Sequence, residues 1–264
     1  MQPYGAFLPS DRAKFLIRLF SETPLGYSKL RRYAIKRLLA EHPAYLDSTF
    51  FGYRFRFVTK DNHTDRMAAL CGKYFNAAEL RWITRVLAKP DPIFVDIGAN
   101  MGFFSFAAAR LGAKVVAVEP NPRLCERIRF NQTLNGISNF DLFQAAVGGE
   151  EGTALLSDPQ DFGQATLRDT QKGIEVRIRP LVNILAEAGV TRIDCLKIDI
   201  EGYEDEALLP FFASADRSLW PKHIVFEHSS HTLWRRDLLG KMAEIGYRIA
   251  ARSRGNSLAT LAGN

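Results

Sequence analysis

Cysteine is scarce in this chain. There are three in 264 residues, Cys71, Cys125 and Cys195, with no paired spacing. That pattern excludes a disulfide framework and a cysteine zinc site, and it predicts a reducing, cytoplasmic setting. Long apolar runs are missing as well: no stretch approaches the roughly 18 residues needed to span a bilayer. Asp11, Arg12 and Lys14 stand where a secretory signal would carry its apolar stretch, so no leader is expected. There is no internal repeat and no low-complexity segment. A further absence is local: no Lys or Arg occurs between Asp91 and Ala109.

What is present suits a globular protein. Hydrophobic residues make up 47% and charged residues 24%, enough to bury a sizeable core without staples. The net charge of +6 is unevenly placed. Residues 1–40 hold eight cations (Arg12, Lys14, Arg18, Lys29, Arg31, Arg32, Lys36 and Arg37) and two acids, which leaves 27 of each sign elsewhere. The neutral remainder argues against a nucleic-acid partner, which requires a basic face around the site. The arm reads either as a solvated helix face or as a peripheral contact of residues 1–40 with an anionic surface, such as a membrane or a phosphorylated carrier.

The hydrophobic pattern divides the chain in three. Residues 1–48 form a basic helical extension. Ser10-Asp11 caps a helix over 12–20, Thr23-Pro24-Leu25-Gly26 breaks it, and a second helix covers 28–40. Residues 49–90 are a lead-in, with strands suggested by FFGYRFRFVTKD and an amphipathic helix over 76–88. From 91 to 264 strands and helices alternate. Strands are expected over 93–99, 114–120, 140–148, 193–202 and 223–229, and helices over 101–112, 122–134, from 203, and over 233–246. Residues 149–180 break the rhythm and suggest a hairpin in place of a crossover helix. YRIAARS and SLATLAG flank Arg254-Gly255-Asn256 as a terminal hairpin. The expectation is an α/β fold with a doubly wound, mostly parallel sheet and an antiparallel C-terminal hairpin.

The strongest motif is Asp96-Ile97-Gly98-Ala99-Asn100-Met101-Gly102, which follows a buried strand and opens a helix. Gly98 and Gly102 allow backbone to approach a ligand, and Asn100 tolerates a left-handed conformation. The spacing is G-x-x-x-G rather than the dinucleotide G-x-G-x-x-G. An anionic pyrophosphate would meet the Asp96 carboxylate with no cation nearby. S-adenosylmethionine, bearing an ammonium and a sulfonium, is favoured there. Glu119 ends the next strand, 17 residues after Gly102, where a carboxylate accepts hydrogen bonds from ribose hydroxyls. Leu196-Lys197-Ile198-Asp199-Ile200-Glu201-Gly202-Tyr203-Glu204 ends a later strand, so its acids face the same crevice or cap the following helix.

FVDIGANMGFFS, VEPNP, AAVG and above all LKIDIEGYE resemble the FkbM family of S-adenosylmethionine-dependent methyltransferases, over about residues 50–229. The resemblance implies a class I methyltransferase (Rossmann-like) fold. It implies methylation of hydroxyl oxygens on polyketides, sugars or lipo-oligosaccharides. It places Asp96, Gly98, Asn100 and Gly102 on the methionine portion and Glu119 on the ribose. Asn121 and Ala146, within VEPNP and AAVG, join the cofactor set, and Asp199 and Glu201 lie by the transferred methyl. Where members often carry a Tyr-Glu pair ahead of the domain, this chain has Tyr74-Phe75.

The resemblance leaves the base open. His228 of Phe226-Glu227-His228 suits proton transfer near neutral pH, with Asp199 as the alternative. Asp199, Glu227 and His228 could also gather a divalent metal, although no metal is favoured. The expected acceptor is a small molecule, sugar or glycolipid, with Phe50, Phe51, Tyr53, Phe55 and Phe57 stacking on it or packing in the core. The competing readings are a catalytically degenerate cofactor-binding module that serves as a protein-interaction subunit, a nucleotide-dependent oxidoreductase, and a nucleic-acid methyltransferase. Asp96 disfavours the oxidoreductase, and the lack of an Asn-Pro-Pro-Tyr-like element disfavours the last.

Overall fold

The computed structural model describes residues 2–157, 165–167 and 170–262. Helix α1 (Asp11–Glu22) starts where its cap predicts, the Ser10 Oγ accepting from the Ala13 amide at 3.2 Å. A 3-10 turn at Pro24–Tyr27 ends it, and α2 (Arg31–Glu41) follows. Strands β1 (Tyr45–Phe50) and β2 (Tyr53–Val58) pair antiparallel. Phe51 and Gly52 turn this hairpin with φ of 48° and 82°, the two-residue geometry whose twist matches paired strands. The sequence pattern does not announce α3 (His63–Cys71), which is too short to display a period. Its start is secured by Asn62, whose Oδ1 accepts from the Thr64 and Asp65 amides. α4 (Ala77–Leu87) is the expected amphipathic helix.

The alternating region then follows: β3 (Ile93–Ile97), α5 (Phe103–Arg110), β4 (Lys114–Val118), α6 (Pro122–Asn135) and β5 (Phe140–Phe143). The strand expected over 140–148 divides here. β5 stops at Phe143, and β6 (Ala146–Val147) joins a separate three-stranded sheet with β7 (Gly152–Leu156) and β8 (Ile174–Arg179). β7 and β8 are the expected antiparallel hairpin. Within that reading, residues 158–164 and 168–169 lie outside the described residues. The hairpin adds to the crossover helix rather than replacing it, because α7 (Leu181–Glu187) follows directly. The chain continues through β9 (Cys195–Ile198), α8 (Glu204–Ser214), β10 (His223–Glu227), α9 (Leu238–Glu244), β11 (Tyr247–Arg252) and β12 (Asn256–Leu261). α9 begins later than the apolar pattern suggests. The Arg235 and Arg236 amides donate to the buried Asp205 Oδ2 at 2.8 and 3.0 Å, which holds that stretch out of the helix.

The seven-stranded sheet runs β11-β12-β10-β9-β3-β4-β5. Its five strands from β10 to β5 are parallel, and β12 and β11 add the antiparallel hairpin at one edge. Strand alternation feeds two cores. Val95, Ile97, Leu196, Ile198 and Phe226 face the layer of α7, α8 and α9. Phe94, Val115, Cys195 and Val225 face α4, α5 and the N-terminal elements. Ala13, Phe20, Leu38, Leu46, Phe55 and Phe57 belong to that same cluster, so residues from 13 onward help close one face of the sheet.

This packing corrects one reading of the aromatic strands. Phe50, Phe55 and Phe57 are 3%, 0% and 0% exposed. Phe50 packs on Phe103 at 5.4 Å and Phe55 on Phe106 at 5.0 Å between ring centres, and Phe57 packs on Phe55 at 4.7 Å. They are core rather than an acceptor platform, and each buried ring contributes about 1.5–3 kcal/mol. Arg56 of the same strand is buried with Asp47, in a two-pronged pair at 2.7 Å per contact. Removing either partner would strand a buried charge. No helix among the described residues is long and apolar enough to cross a membrane.

Candidate active site at the strand ends

Parallel strands deliver their C-terminal ends to one edge of the sheet, and the crevice opens there. The Gly98 amide donates to the Val118 carbonyl at 2.9 Å, which fastens the loop after β3 onto β4. Gly98 has φ 75°, and a Cβ at that position would lie 2.1 Å from the Asp199 carbonyl oxygen. Glycine is therefore what lets the ends of β3 and β9 approach. Asn100 takes the left-handed conformation, φ 55°, and its Oδ1 accepts from Asn62 Nδ2 at 2.5 Å. Gly102, φ 87°, caps α5.

Glu119 is gripped by backbone. Its Oε2 accepts from the Asn100 amide at 2.7 Å and its Oε1 from the Asn121 amide at 2.9 Å. Each oxygen keeps a second lone-pair direction. Burial pushes this carboxyl up to about 7 against the pull of the two amides. Asn121 also caps α6, its Oδ1 accepting from the Arg123 amide at 3.0 Å. Asp96 lies beneath the loop, 1% exposed. Its Oδ2 accepts from Ser105 Oγ at 2.6 Å and its buried Oδ1 has no partner. Burial raises its pKa, partly offset by the Lys197 ammonium.

These elements wall a pocket at the strand ends. Of the expected cofactor residues, Gly98, Asn100, Glu119 and Ala146 line it, whereas Asp96, Gly102 and Asn121 stand behind and shape the loop. Val118, Leu124 and Val147 give it an apolar wall, and Glu119, Asp199 and Glu201 are its charged members. Among the described residues no Lys, Arg or His lines it. Three carboxylates beside an apolar slot fit S-adenosylmethionine, whose ammonium and sulfonium are favoured by nearby negative charge. Tyr203 and, from the β7–β8 hairpin region, Leu156 and Leu167 complete the lining.

The far side is an acidic cluster. Oxygens of Asp199, Glu201 and Glu227 lie within 4.8 Å of one another, near enough to hold a divalent cation. Lys197, 3% exposed, donates to Asp199 Oδ2 at 3.0 Å. Glu201 adopts φ 53°, a left-handed backbone that a non-glycine residue takes at some cost. Glu204 secures that turn from inside, its Oε1 accepting from the Ile200 amide at 2.9 Å and its Oε2 from Trp234 Nε1 at 2.7 Å. Burial, then the Glu227 and Asp199 charges, push Glu201 up to about 8. Glu227 is raised for the same reasons, burial first and Asp199 second. Ser229 donates to its Oε1, and its buried Oε2 has no hydrogen-bond partner.

His228 is not brought into this cluster. Its Nδ1 meets Ser257 Oγ at 3.0 Å, and its amide donates to the Gly255 carbonyl at 2.8 Å. Burial, then Arg252 and His231, lower its pKa. In the three-ligand set considered from sequence, Glu201 stands where His228 was expected. Asn62, which ties α3 to the glycine loop, carries no sequence signal: it sits 38 positions from its partner in a stretch without motif.

Comparison with known proteins agrees with this geometry. The model of the methyltransferase FkbM domain matches residues 96–249. The chain belongs to the FkbM methyltransferase domain family, whose members use S-adenosylmethionine. It is 26% identical over 180 residues to the 2-O-methyltransferase NoeI of Sinorhizobium fredii, covering 60% of this chain and 72% of that protein. It is 25% identical over 169 residues to the 31-O-demethyl-FK506 methyltransferase FkbM of Streptomyces tacrolimicus, covering 51% of this chain and 63% of that one. The chain thus spans under two thirds of the second relative's length. Among solved structures, the METTL16 methyltransferase domain aligns with a TM-score of 0.52 at 12% identity, over 88% of this chain and 80% of that one, which shows the shared fold.

Proposed function

We propose that the chain methylates a hydroxyl oxygen of a small molecule, sugar or glycolipid, with Glu201 as the base. One observation carries this reading: a cavity-lining carboxyl with a pKa of about 8 beside two further carboxylates. An alcohol must lose its proton as its oxygen takes the methyl, and a base is most effective when its pKa lies near the working pH. The two relatives named for O-methylation agree with oxygen as the acceptor atom.

S-adenosylmethionine supplies an electrophilic methyl on a sulfonium. In this reading Glu119 accepts from the ribose hydroxyls with its remaining lone pairs, while Gly98 and Asn100 admit the methionine portion. Asp96 sets the loop from beneath. The acceptor hydroxyl donates to Glu201, which takes its proton as the carbon–sulfur bond breaks and the carbon–oxygen bond forms. Burial, then the Glu227 and Asp199 charges, hold the Glu201 pKa high, and Lys197 keeps Asp199 in place. His228 takes no part in the proton transfer.

The test is methyl transfer from labelled S-adenosylmethionine to a panel of sugars, polyols and amines, with the product linkage read by NMR. An O-methyl product supports the reading. An N-methyl product as the main species overturns it, and cofactor binding without transfer to any acceptor favours the degenerate module.

A further inference from the structure

The net positive charge of the chain lies in its first 40 residues, and seven of the eight cations there, all but Arg31, are exposed along α1, α2 and the stretch between them. The two acids of this stretch are neutralised locally. Lys14 bridges Asp11 at 2.9 Å and Arg18 bridges Glu22 at 3.1 Å. Among the described residues no acid pairs with Arg12, Lys29, Arg32, Lys36 or Arg37.

Large apolar side chains stand in the same place. Ten are exposed among the described residues, and five of them are Leu8, Phe15, Tyr27, Leu30 and Tyr33, at 51–65% exposure. They include every aromatic in that group. Phe15 of α1 and Tyr33 of α2 flank one groove with Arg12 and Arg37 and with two acids, Asp11, bridged by Lys14, and Glu41, which accepts from Ser10 Oγ. The Arg37 guanidinium lies 5.6 Å from the Tyr33 ring centre. The buried face of α1 is already satisfied by Ala13 and Phe20, and that of α2 by Ala34 and Leu38. Tyr27 packs edge-on against Tyr74 at 5.1 Å between ring centres and its hydroxyl accepts from Arg81, so among the described residues Phe15 and Tyr33 are the outer aromatics without an aromatic partner.

We propose that this face of α1 and α2 docks on an anionic lipid membrane. Aromatics and leucines interleaved with unpaired Arg and Lys are the make-up of an interfacial surface. The rings enter the headgroup boundary while the cations meet lipid phosphates. A nucleic acid would take the charge but leave Leu8 and Leu30 without a role. The inference stands apart from the acceptor proposed above, since it uses no residue of the crevice.

The experiment is co-sedimentation of the full chain with phosphatidylcholine vesicles, with and without phosphatidylglycerol, at low and high salt. Binding should require phosphatidylglycerol, weaken with salt, and fall at least tenfold in Phe15→Ser/Tyr33→Ser and in Arg32→Glu/Arg37→Glu. Calorimetric S-adenosylmethionine affinity, expected to be unchanged in both variants, checks that each has folded. Three results would overturn the proposal: equal binding to both vesicle types, no binding to either, or loss in the charge variant with none in the aromatic one. Tighter binding to RNA that the aromatic variant leaves intact would assign the face to nucleic acid instead.

Discussion

At the β3–β4 end of the crevice, Glu119 has both oxygens held by backbone amides, and the residues around it are fixed by glycine geometry and helix caps. At the β9–β10 end, Asp199, Glu201 and Glu227 crowd one another, and one buried Glu227 oxygen has no hydrogen bond. Both ends sit on the same sheet edge, with Glu119 buried and the trio half-buried. One end spends its acid on order and the other keeps its acids in mutual repulsion. A satisfied carboxylate is a good fixed receptor for a cofactor. A crowded one keeps its proton up to near-neutral pH, which suits chemistry. Changes at the first end should alter affinity, and changes at the second should alter turnover.

The sharpest test of that division is Glu201→Gln. The amide keeps the shape and cannot take a proton, so kcat should fall about 10²–10⁴-fold, with S-adenosylmethionine affinity by calorimetry nearly unchanged. A comparable loss of affinity would erase the distinction. Next comes Glu119→Ala, which removes a charged acceptor and leaves two amides unpaired. Its cofactor Kd should rise about 100-fold, and kcat at saturating cofactor should hold.

Asn62→Asp is subtler. Asp keeps the cap of α3 but replaces the donor to Asn100 with an acceptor, so the glycine loop loses its brace. Cofactor Kd should rise about tenfold, and the melting temperature should fall as well, because the new carboxylate is fully buried. A fall in melting temperature with no change in Kd would make Asn62 merely structural.

The acidic end should also tune stability. The folded Glu201 carboxyl holds its proton more tightly than the unfolded one, so its contribution is fully present below the ordinary 4.5 and is lost as pH rises through about 8. The cofactor-free protein should lose melting temperature across that window more steeply than Glu201→Gln. Parallel curves would remove repulsion as the cause. The smallest effect concerns metal. Because Lys197 already supplies a cation to Asp199 and a bound proton relieves Glu201, chelation by EDTA should leave turnover within about twofold. A metal-dependent loss would turn the trio into a cation site.

Much of this was legible in the residues. Buried parallel strands read as apolar runs, helices between them announce themselves by period, and Gly98 with Asn100 marks a loop that needs left-handed backbone. What could not be read is set by distance in sequence. Asn62 meets Asn100, Arg235 and Arg236 meet Asp205, and Ser257 takes His228, each across 30 or so positions. The aromatic strands were ambiguous because alternation shows which side chains share a face and not what covers that face. Glu227 outranks its neighbour His228 for a simple reason. Adjacent residues of a strand point to opposite sides of the sheet, and only tertiary structure shows which side holds the trio.

The position of β12 has a further consequence. β12 lies between β10 and β11, so β11 has no hydrogen-bonded neighbour in the sheet except a strand made after it. During synthesis the parallel strands and the crevice can assemble while that flank still offers the open edge of β10. The edge is sealed when β12 slides in as the second-last strand of the row. Until then it is a free template for any extended segment nearby. The order of manufacture therefore gives the chain a brief interval in which its binding site can exist before its flank is protected.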